Sequence, residues 1–574
     1  MSYDLMFNRA NELYSANCLD EAEQLYRRIL EAVPENSDVL NMMGLTAQAK
    51  GLHKEAVSYF LQAIKSAPNH IALYFNLAVS YQESKKYVQA IEAYKKVLAL
   101  NPNIKEAYNN LAAVYEQTGK VQDAVETYQN ALKLDENYVD AKVNLAVLNK
   151  DIFELEKLSK LYPDSELVFY YLALHYFNEK DFAKALEYVV MADTLYENSA
   201  DIKLLKAKTN LELKNNKEAI TDFYRCLQLN PKCVEALVNL ADLEEKEEYY
   251  LKALDLEPDN LAAHSNYANL LYKQKRNLEA LEEYRKAVIL NPDLPELSNN
   301  LGLILKDMAD YERALDLFMN AFIKDFEQKS YWINIAETLV MLYQKEPEKA
   351  TSIAQKWLDL APDNVFAKHI LASFNSKLDD VAEAYSKELF DLFSANYDET
   401  METIKYSVLD KIKQLNIRFH GSVLDLGCGT GNFACMFANA DTKITGVDVS
   451  QNMLDIAKQK NVYQELVHAD ITDFVKTSSK YDFVLALDIF EYIKNVEQLI
   501  SDIKADALIF NIETASSEID TYRLAYNGRI VHNPAYIRQI LDKAGYADIK
   551  EYEIDLRQEN NEPVKGVLFV ANMK

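Results

Sequence analysis

VLDLGCGTG, residues 423–431, decides the fold of the last third of the chain. A short apolar run leads into Gly427, Gly429 and Gly431, and glycines placed after a strand and before a helix let the backbone close tightly on a ligand at the strand's carboxyl end. The spacing is GxGxG with Asp425 two residues ahead, whereas a nicotinamide-binding turn normally spaces its glycines GxGxxG. Taken alone, the turn still admits a dinucleotide. Downstream, a second apolar run ends in Asp448 within GVDVS, where a carboxylate can accept both hydroxyl protons of a ribose.

Outward from this stretch, short apolar runs alternate with amphipathic helical segments, the pattern of βαβ units and a parallel sheet. SVLDLG, KITGVDV, LVHADI, YDFVLALDI and ALIFNIE read as five strands in order. IKEYEIDLRQ and VKGVLFVAN, joined by the polar ENNEP, read as a closing antiparallel hairpin. The expected fold is thus α/β, a Rossmann-like sheet with a C-terminal antiparallel hairpin, over residues 411–574, with a linker and lead helices over 376–410.

Upstream the rhythm is different. Ala22, Ala56, Ala90 and Ala124 recur every 34 residues, as do Pro34, Pro68 and Pro102, the aromatics Tyr26, Phe60, Tyr94 and Tyr128, and the small residues Ala10, Gly44, Ala78 and Ala112. This is the period of tetratricopeptide-type helix pairs. Small residues let two antiparallel helices approach, aromatics fill the gap to the next repeat, and proline sits at the turn because it cannot continue a helix. The pattern shortens around residues 139–164 and again between Pro231 and Pro258, and resumes with Ala268, Tyr284, Gly302 and Phe318. An α solenoid of about eleven repeats, two of them short, is expected over residues 1–375. Such arrays usually present a concave face to peptides or partner proteins, although they also serve as spacers and dimerisation surfaces.

Composition limits the partners. The 574 residues are 49% hydrophobic and 26% charged, with 12 Gly and 12 Pro, which favours a folded, mostly helical chain. A formal charge of −27 argues against a nucleic acid or an anionic membrane as the binding surface. Five scattered cysteines without CxxC pairing give no metal site, and no secretory start or membrane span is read in the sequence. A cytoplasmic protein without metal is expected.

With these motifs in view, the last third resembles the class I S-adenosylmethionine-dependent methyltransferases. It is similar in particular to a bacterial family of predicted methyltransferases that carry tetratricopeptide repeats and are related to trans-aconitate methyltransferases. The likeness starts at AKHILASF (367–374), continues through AYSKELFDLFSANYDETM (384–401), and ends with NIETASSEIDTYRLAYNGRIVHNPAYIRQIL and EPVKGVLFV. DIKADALIF stands where many relatives have a Pro-Gly-Gly turn before the fifth strand. The resemblance implies S-adenosylmethionine as cofactor. Asp425, Gly427, Gly429 and Gly431 would form its glycine motif, with Gly427 and Gly429 against the methionine portion. Asp448 would bind the ribose, Met453 would pack on the adenine, Asp470, which closes HAD, would bind the adenine amino group, and Tyr397 would cover the methionine. Asp488, at the end of the fourth strand, would face the reacting methyl.

Glu513, Arg529, His532 and Tyr536 lie on or after the fifth strand, where such enzymes keep substrate-facing groups. Asp488, Glu513 and His532 are the candidates for catalysis, and Arg529, His532 and Tyr536 those for substrate binding. Arg529 and His532 can clamp a carboxylate or position a side chain, or serve only as surface hydrogen-bonding groups. Three functions remain open at this stage: methylation of a protein docked by the repeats, methylation of a small carboxylate with the repeats used for assembly, and a repeat scaffold with an inactive methyltransferase fold.

Overall fold

In the computed structural model, residues 2–377, 382–515, 519–559 and 562–573 are described. Asn560 and Asn561 of the expected ENNEP turn, residues 378–381 of the expected linker and residues 516–518 lie outside them. The chain divides into two compact units, Met1–Pro258 and Asp259–Lys574. The dividing point falls within the repeats, so the second unit holds the last helix pairs together with the sheet.

Up to Leu360 the described residues form eleven helix pairs, from Tyr3–Ser15 with Leu19–Ala32 to Lys329–Tyr343 with Pro347–Leu360, and the single helix Val365–Phe374 follows. The two short pairs are Val139–Leu148 with Ile152–Leu161 and Val234–Glu244 with Glu247–Leu256. Tyr26, Phe60, Tyr94 and Tyr128 are fully or almost fully buried, as are the alanines of the 34-residue columns. Each aromatic packs within its own pair as well. A methyl group at Gly302 would lie 2.6 Å from the Phe318 ring, and the Tyr26 hydroxyl donates to Asn11 Oδ1 at 2.6 Å. An asparagine on the first helix of one pair donates to another in the preceding pair: Asn76 to Asn41 at 3.0 Å, Asn144 to Asn109 at 3.1 Å and Asn334 to Asn299 at 2.7 Å. Pro34, Pro68 and Pro102 stand just past the second helix of their pairs, where a missing amide donor ends the helix at no cost.

The sheet is built from β1 (Gly421–Leu426), β2 (Thr442–Asp448), β3 (Glu465–His468), β4 (Tyr481–Ala486), β5 (Ala505–Glu513), β8 (Tyr546–Glu559) and β9 (Glu562–Met573). Their spatial order is β3-β2-β1-β4-β5-β9-β8. The first five are parallel, while β9 runs antiparallel to β5 and β8 antiparallel to β9. Leu424, Val484, Leu508 and Phe510 form one side of the apolar core and Val423, Leu485, Ile509 and Leu568 the other, because helices cover both faces. A separate two-stranded ribbon, β6 (Tyr522–Leu524) and β7 (Ile530–His532), follows β5. The strand order reverses between β1 and β4, and in open parallel sheets ligands bind beside the carboxyl ends of strands at such a point.

Candidate active site

Beyond the end of β1 the chain turns through Gly427, Gly429 and Gly431, with φ of 63°, 52° and 92°, a conformation that side chains disfavour. The Gly429 amide donates to one oxygen of Asp448 at 2.8 Å, and the Ser450 amide to the other at 2.8 Å. Asp448 is 7% exposed; burial pushes its carboxyl up, and the two amide donors oppose that rise. A methyl placed on Gly429 would meet only the Tyr397 ring, at 3.8 Å, so the turn leaves its outer face open.

Two acidic residues of the lead helices hold the cover over this turn. Asp391 accepts from the Ser450 hydroxyl, and its carbonyl accepts from Asn452 Nδ2 at 3.1 Å. Asp398 accepts from Thr430, from Asn432 Nδ2 at 2.9 Å and from Lys460 Nζ at 2.9 Å. Tyr397 is thereby set over Gly429. Sequence reading singled out Tyr397 but neither aspartate, since a carboxylate on a helix surface has no distinguishing pattern.

A cavity of about 470 Å³ opens at the ends of β1, β2, β3 and β4. Tyr397, Gly427, Gly429, Asp448, Met453, Asp470 and Asp488 all line it, joined by Ser386, Phe390, Thr472, Ile489 and Tyr492. Asp470 caps the helix Ile471–Thr477, accepting from the amides of Thr472 at 2.7 Å and Asp473 at 3.2 Å. Asp488 has φ of 54°, and it exchanges two hydrogen bonds with Asn511, through its amide at 2.9 Å and its carboxylate at 2.7 Å. The same Asn511 amide reaches Glu491 Oε1 at 3.4 Å. Burial raises the Asp488 carboxyl, and burial with Asp488 alongside raises Glu491 well above the carboxylate range.

The other sequence candidates fall outside the wall of this cavity. Asp425 is buried behind the turn and accepts from the Tyr463 hydroxyl at 2.7 Å; burial lifts its carboxyl to about 7. Gly431 ends the turn, and a methyl there would press on the Tyr463 ring at 3.0 Å instead of facing the cavity. Glu513 points into an ionic group behind β5, 2.6 Å from Arg557 and 3.6 Å from Arg529, while Arg529 lies 3.2 Å from Glu559. Burial lifts Glu513 to about 7 against the pull of Arg529. Burial alone would lower the Arg529 guanidinium, but Tyr492, Glu559, Glu513 and Asp488 around it reverse the shift. His532 is 1% exposed and its Nε2–H donates to the Phe490 carbonyl at 3.0 Å; burial lowers it, so the ring is neutral. Tyr536, on the helix Pro534–Lys543, is half-buried against the apolar core.

Among the described residues no group of three or more His, Cys, Asp or Glu side chains is placed to hold a metal ion, and no helix is long and apolar enough to cross a membrane.

With that geometry in view, residues 423–505 match the family model described as methyltransferase domain. Tetratricopeptide repeat models match residues 7–71, 71–104, 106–138 and 235–260, a TPR repeat model matches 268–309, and the model for anaphase-promoting complex, cyclosome, subunit 3 matches 144–226. The chain is 29% identical over 155 residues to demethylmenaquinone methyltransferase of Oceanobacillus iheyensis, covering 25% of this chain and 63% of that protein. It is 27% identical over 203 residues to human protein O-mannosyl-transferase TMTC3, covering 35% of this chain and 20% of that protein. It thus spans less than two thirds of either relative. A crystal structure of a tetratricopeptide repeat protein from Parabacteroides merdae aligns with a TM-score of 0.37 at 20% identity, over 42% of this chain and 99% of that one. The chain therefore joins tetratricopeptide repeats to a methyltransferase domain.

Proposed function

We propose that the chain transfers a methyl group from S-adenosylmethionine to a protein that its repeats dock. One observation carries the reading: a single cavity at the switch point of the sheet gathers Gly427, Gly429, Asp448, Met453, Asp470 and Asp488. These residues fit the cofactor. The open face of Gly429 admits the methionine portion, the buried Asp448 offers carboxylate oxygens to a ribose diol, and Met453 with Ile471 gives an apolar bed for the adenine beside Asp470.

When bound, the cofactor supplies a methyl group on a sulfonium, which a nucleophile displaces in line. The chain's own task is to hold the partners in line and exclude water. Tyr397 and Phe390 stand over the turn for that purpose, and Asp488, fixed by Asn511, stands on the acceptor side. A carboxyl raised by burial is suited to take the proton that an amine or hydroxyl acceptor gives up.

The likeness to demethylmenaquinone methyltransferase supports a second reading, a small-molecule acceptor. For a carboxylate acceptor Arg529 would be the clamp, yet it already lies between Glu513 and Glu559, with Asp488 nearby. That acidic setting favours an amine or neutral acceptor. Five free cysteines fit a reducing, cytoplasmic setting.

Calorimetry with S-adenosylmethionine and with NADH, using Asp448→Ala as the control, tests the cofactor. Tight binding of the first that the substitution weakens supports the reading and justifies a labelled-methyl search for acceptor proteins in cell extract. Binding of neither removes it.

A further inference from the structure

Arg529 ends the loop between β6 and β7. Within the loop the Ala525 amide donates to the Arg529 carbonyl at 2.8 Å and the Gly528 amide to the Ala525 carbonyl at 3.0 Å. Two three-residue strands make a marginal hairpin by themselves, so these bonds do not fix where the loop points.

The support comes from the last repeat helices of the same unit. His369 Nε2 donates to the Gly528 carbonyl at 2.8 Å, and the Ser373 hydroxyl, whose single proton is shared with the Ile370 carbonyl at 2.7 Å, reaches the Tyr526 carbonyl at 3.1 Å. Gln344 Nε2 donates to the Tyr526 hydroxyl at 2.7 Å. The Tyr526 ring stacks on Tyr343 at 5.8 Å, and Tyr343 stacks in turn on Phe374 at 4.3 Å. A methyl on Gly528 would lie 3.0 Å from His369, which leaves the loop no slack on this side. The opposite face of the His369 contact is the lead helix Ala382–Phe393. The imidazole stacks on Tyr385 at 4.1 Å, and Lys329 pairs with Glu388 at 2.5 Å. Ser386 and Phe390 of that helix line the cofactor cavity.

We infer that His369, with Ser373 and Tyr343, is a positioning residue for the Arg529 loop, so that the last repeat helices form part of the acceptor side of the active site. This assignment rests on the proposed reading in one respect, that the acceptor sits at Asp488 and Tyr492, which line the cavity and which Arg529 faces from outside its wall. Otherwise the contacts carry it: one imidazole touches both the loop that bears Arg529 and the helix that covers the cofactor.

The test uses the full chain with His369→Phe and His369→Gln. Phenylalanine keeps a ring on Tyr385 but cannot donate to Gly528, whereas glutamine restores a donor. Hydrogen exchange of the amides of Ala525 and Gly528, followed by mass spectrometry, should accelerate about tenfold in His369→Phe, the effect of one lost hydrogen bond, and return in His369→Gln. Exchange across residues 421–431 and the affinity for S-adenosylmethionine should stay as they are in the unaltered chain. Unchanged loop exchange in His369→Phe, no recovery in His369→Gln, or acceleration spread evenly over the chain would each overturn the inference. Absence of S-adenosylmethionine binding to the unaltered chain would count instead against the proposed function, since the exchange measurement needs no ligand.

Discussion

The amide of Gly429 donates to the carboxylate of Asp448 at 2.8 Å, which ties the turn after β1 to the end of β2. The ionised carboxylate thus holds the turn and, on the proposed reading, also receives the ribose.

Asp448→Asn should weaken S-adenosylmethionine binding about a hundredfold, since hydrogen bonds to a charged acceptor are each worth roughly 1.5–3 kcal/mol. Burial raises this carboxyl, so on acidification the free protein takes up a proton at a higher pH than an ordinary aspartate would. The binding form is the ionised one. Affinity should therefore fall toward acid pH, by about tenfold per unit once the group is mostly protonated, with proton release on binding. Calorimetry in buffers of different ionisation enthalpy reads both effects, and the pH dependence should vanish in Asp448→Asn. A flat profile for the unaltered chain would contradict this role.

Two glycines, Gly429 in the turn after β1 and Gly446 on β2, should behave in opposite ways. Gly429→Ala places its methyl where only Tyr397 lies within 4 Å, so the thermal midpoint should drop only modestly, from the roughly 1–2 kcal/mol cost of a left-handed side chain, while cofactor binding is lost. A methyl on Gly446 would sit 2.8 Å from Leu466 and Tyr463 and 2.9 Å from the Cys428 sulfur, so Gly446→Ala overpacks the core by about 1–3 kcal/mol. Melting curves with and without S-adenosylmethionine separate the two: ligand should still raise the midpoint of the second variant and not of the first.

Asp425 gives a stability test that needs no ligand. Its carboxyl is lifted from 3.8 to about 7 by burial, so between these values the folded chain holds a proton that the unfolded chain has released. Stability must then fall as pH rises through that window, and the full penalty remains above it. Asp425→Asn should match the unaltered chain only below about pH 4, exceed it by about 1.5–2 kcal/mol near pH 5, and exceed it by about 4 kcal/mol near pH 8. Urea midpoints at the two pH values decide the matter; equal differences at both would show that Asp425 ionises freely.

The strands, and the residues at their carboxyl ends that line the cavity, were legible because their signals are local. VLDLGCGTG, GVDVS and HAD each place an acidic or glycine residue at the carboxyl end of a strand, and a parallel sheet brings those ends together without further information. The acceptor side was harder to read, for physical reasons. β6 and β7 are three residues long and show no alternation, and Arg529 gains its surroundings from β5 and β8 and from helices more than a hundred residues earlier. His532 is a sequence candidate for catalysis, and the structure buries it with Nε2 on the Phe490 carbonyl, a placement no local pattern announces. Asp391, Asp398 and His369 sit on helical surfaces where sequence spacing cannot distinguish a clamp from a solvated side chain. The unit boundary at Pro258 coincides with the end of the shortened repeat between Pro231 and Pro258, which the sequence shows as a break in the 34-residue rhythm but not as a division between units.

The repeat columns make a final prediction. Gly302 faces Phe318, and a methyl there would lie 2.6 Å from the ring, too close for any carbon contact. The corresponding pair Ala207 and Phe223, both fully buried, shows that the repeat can accept an alanine if the helices part slightly. Gly302→Ala should therefore destabilise by about 1–2 kcal/mol, the lower part of the range for an overpacked core. Phe318→Leu alone should cost about 1–2 kcal/mol through the space it leaves. The double variant should lose less than the sum, because the smaller side chain vacates the position that the new methyl needs, and contacting residues in one core are non-additive. Urea unfolding of the three variants measures the coupling. A purely additive result would mean that the Gly302 methyl clashes with the helix backbone and not with Phe318.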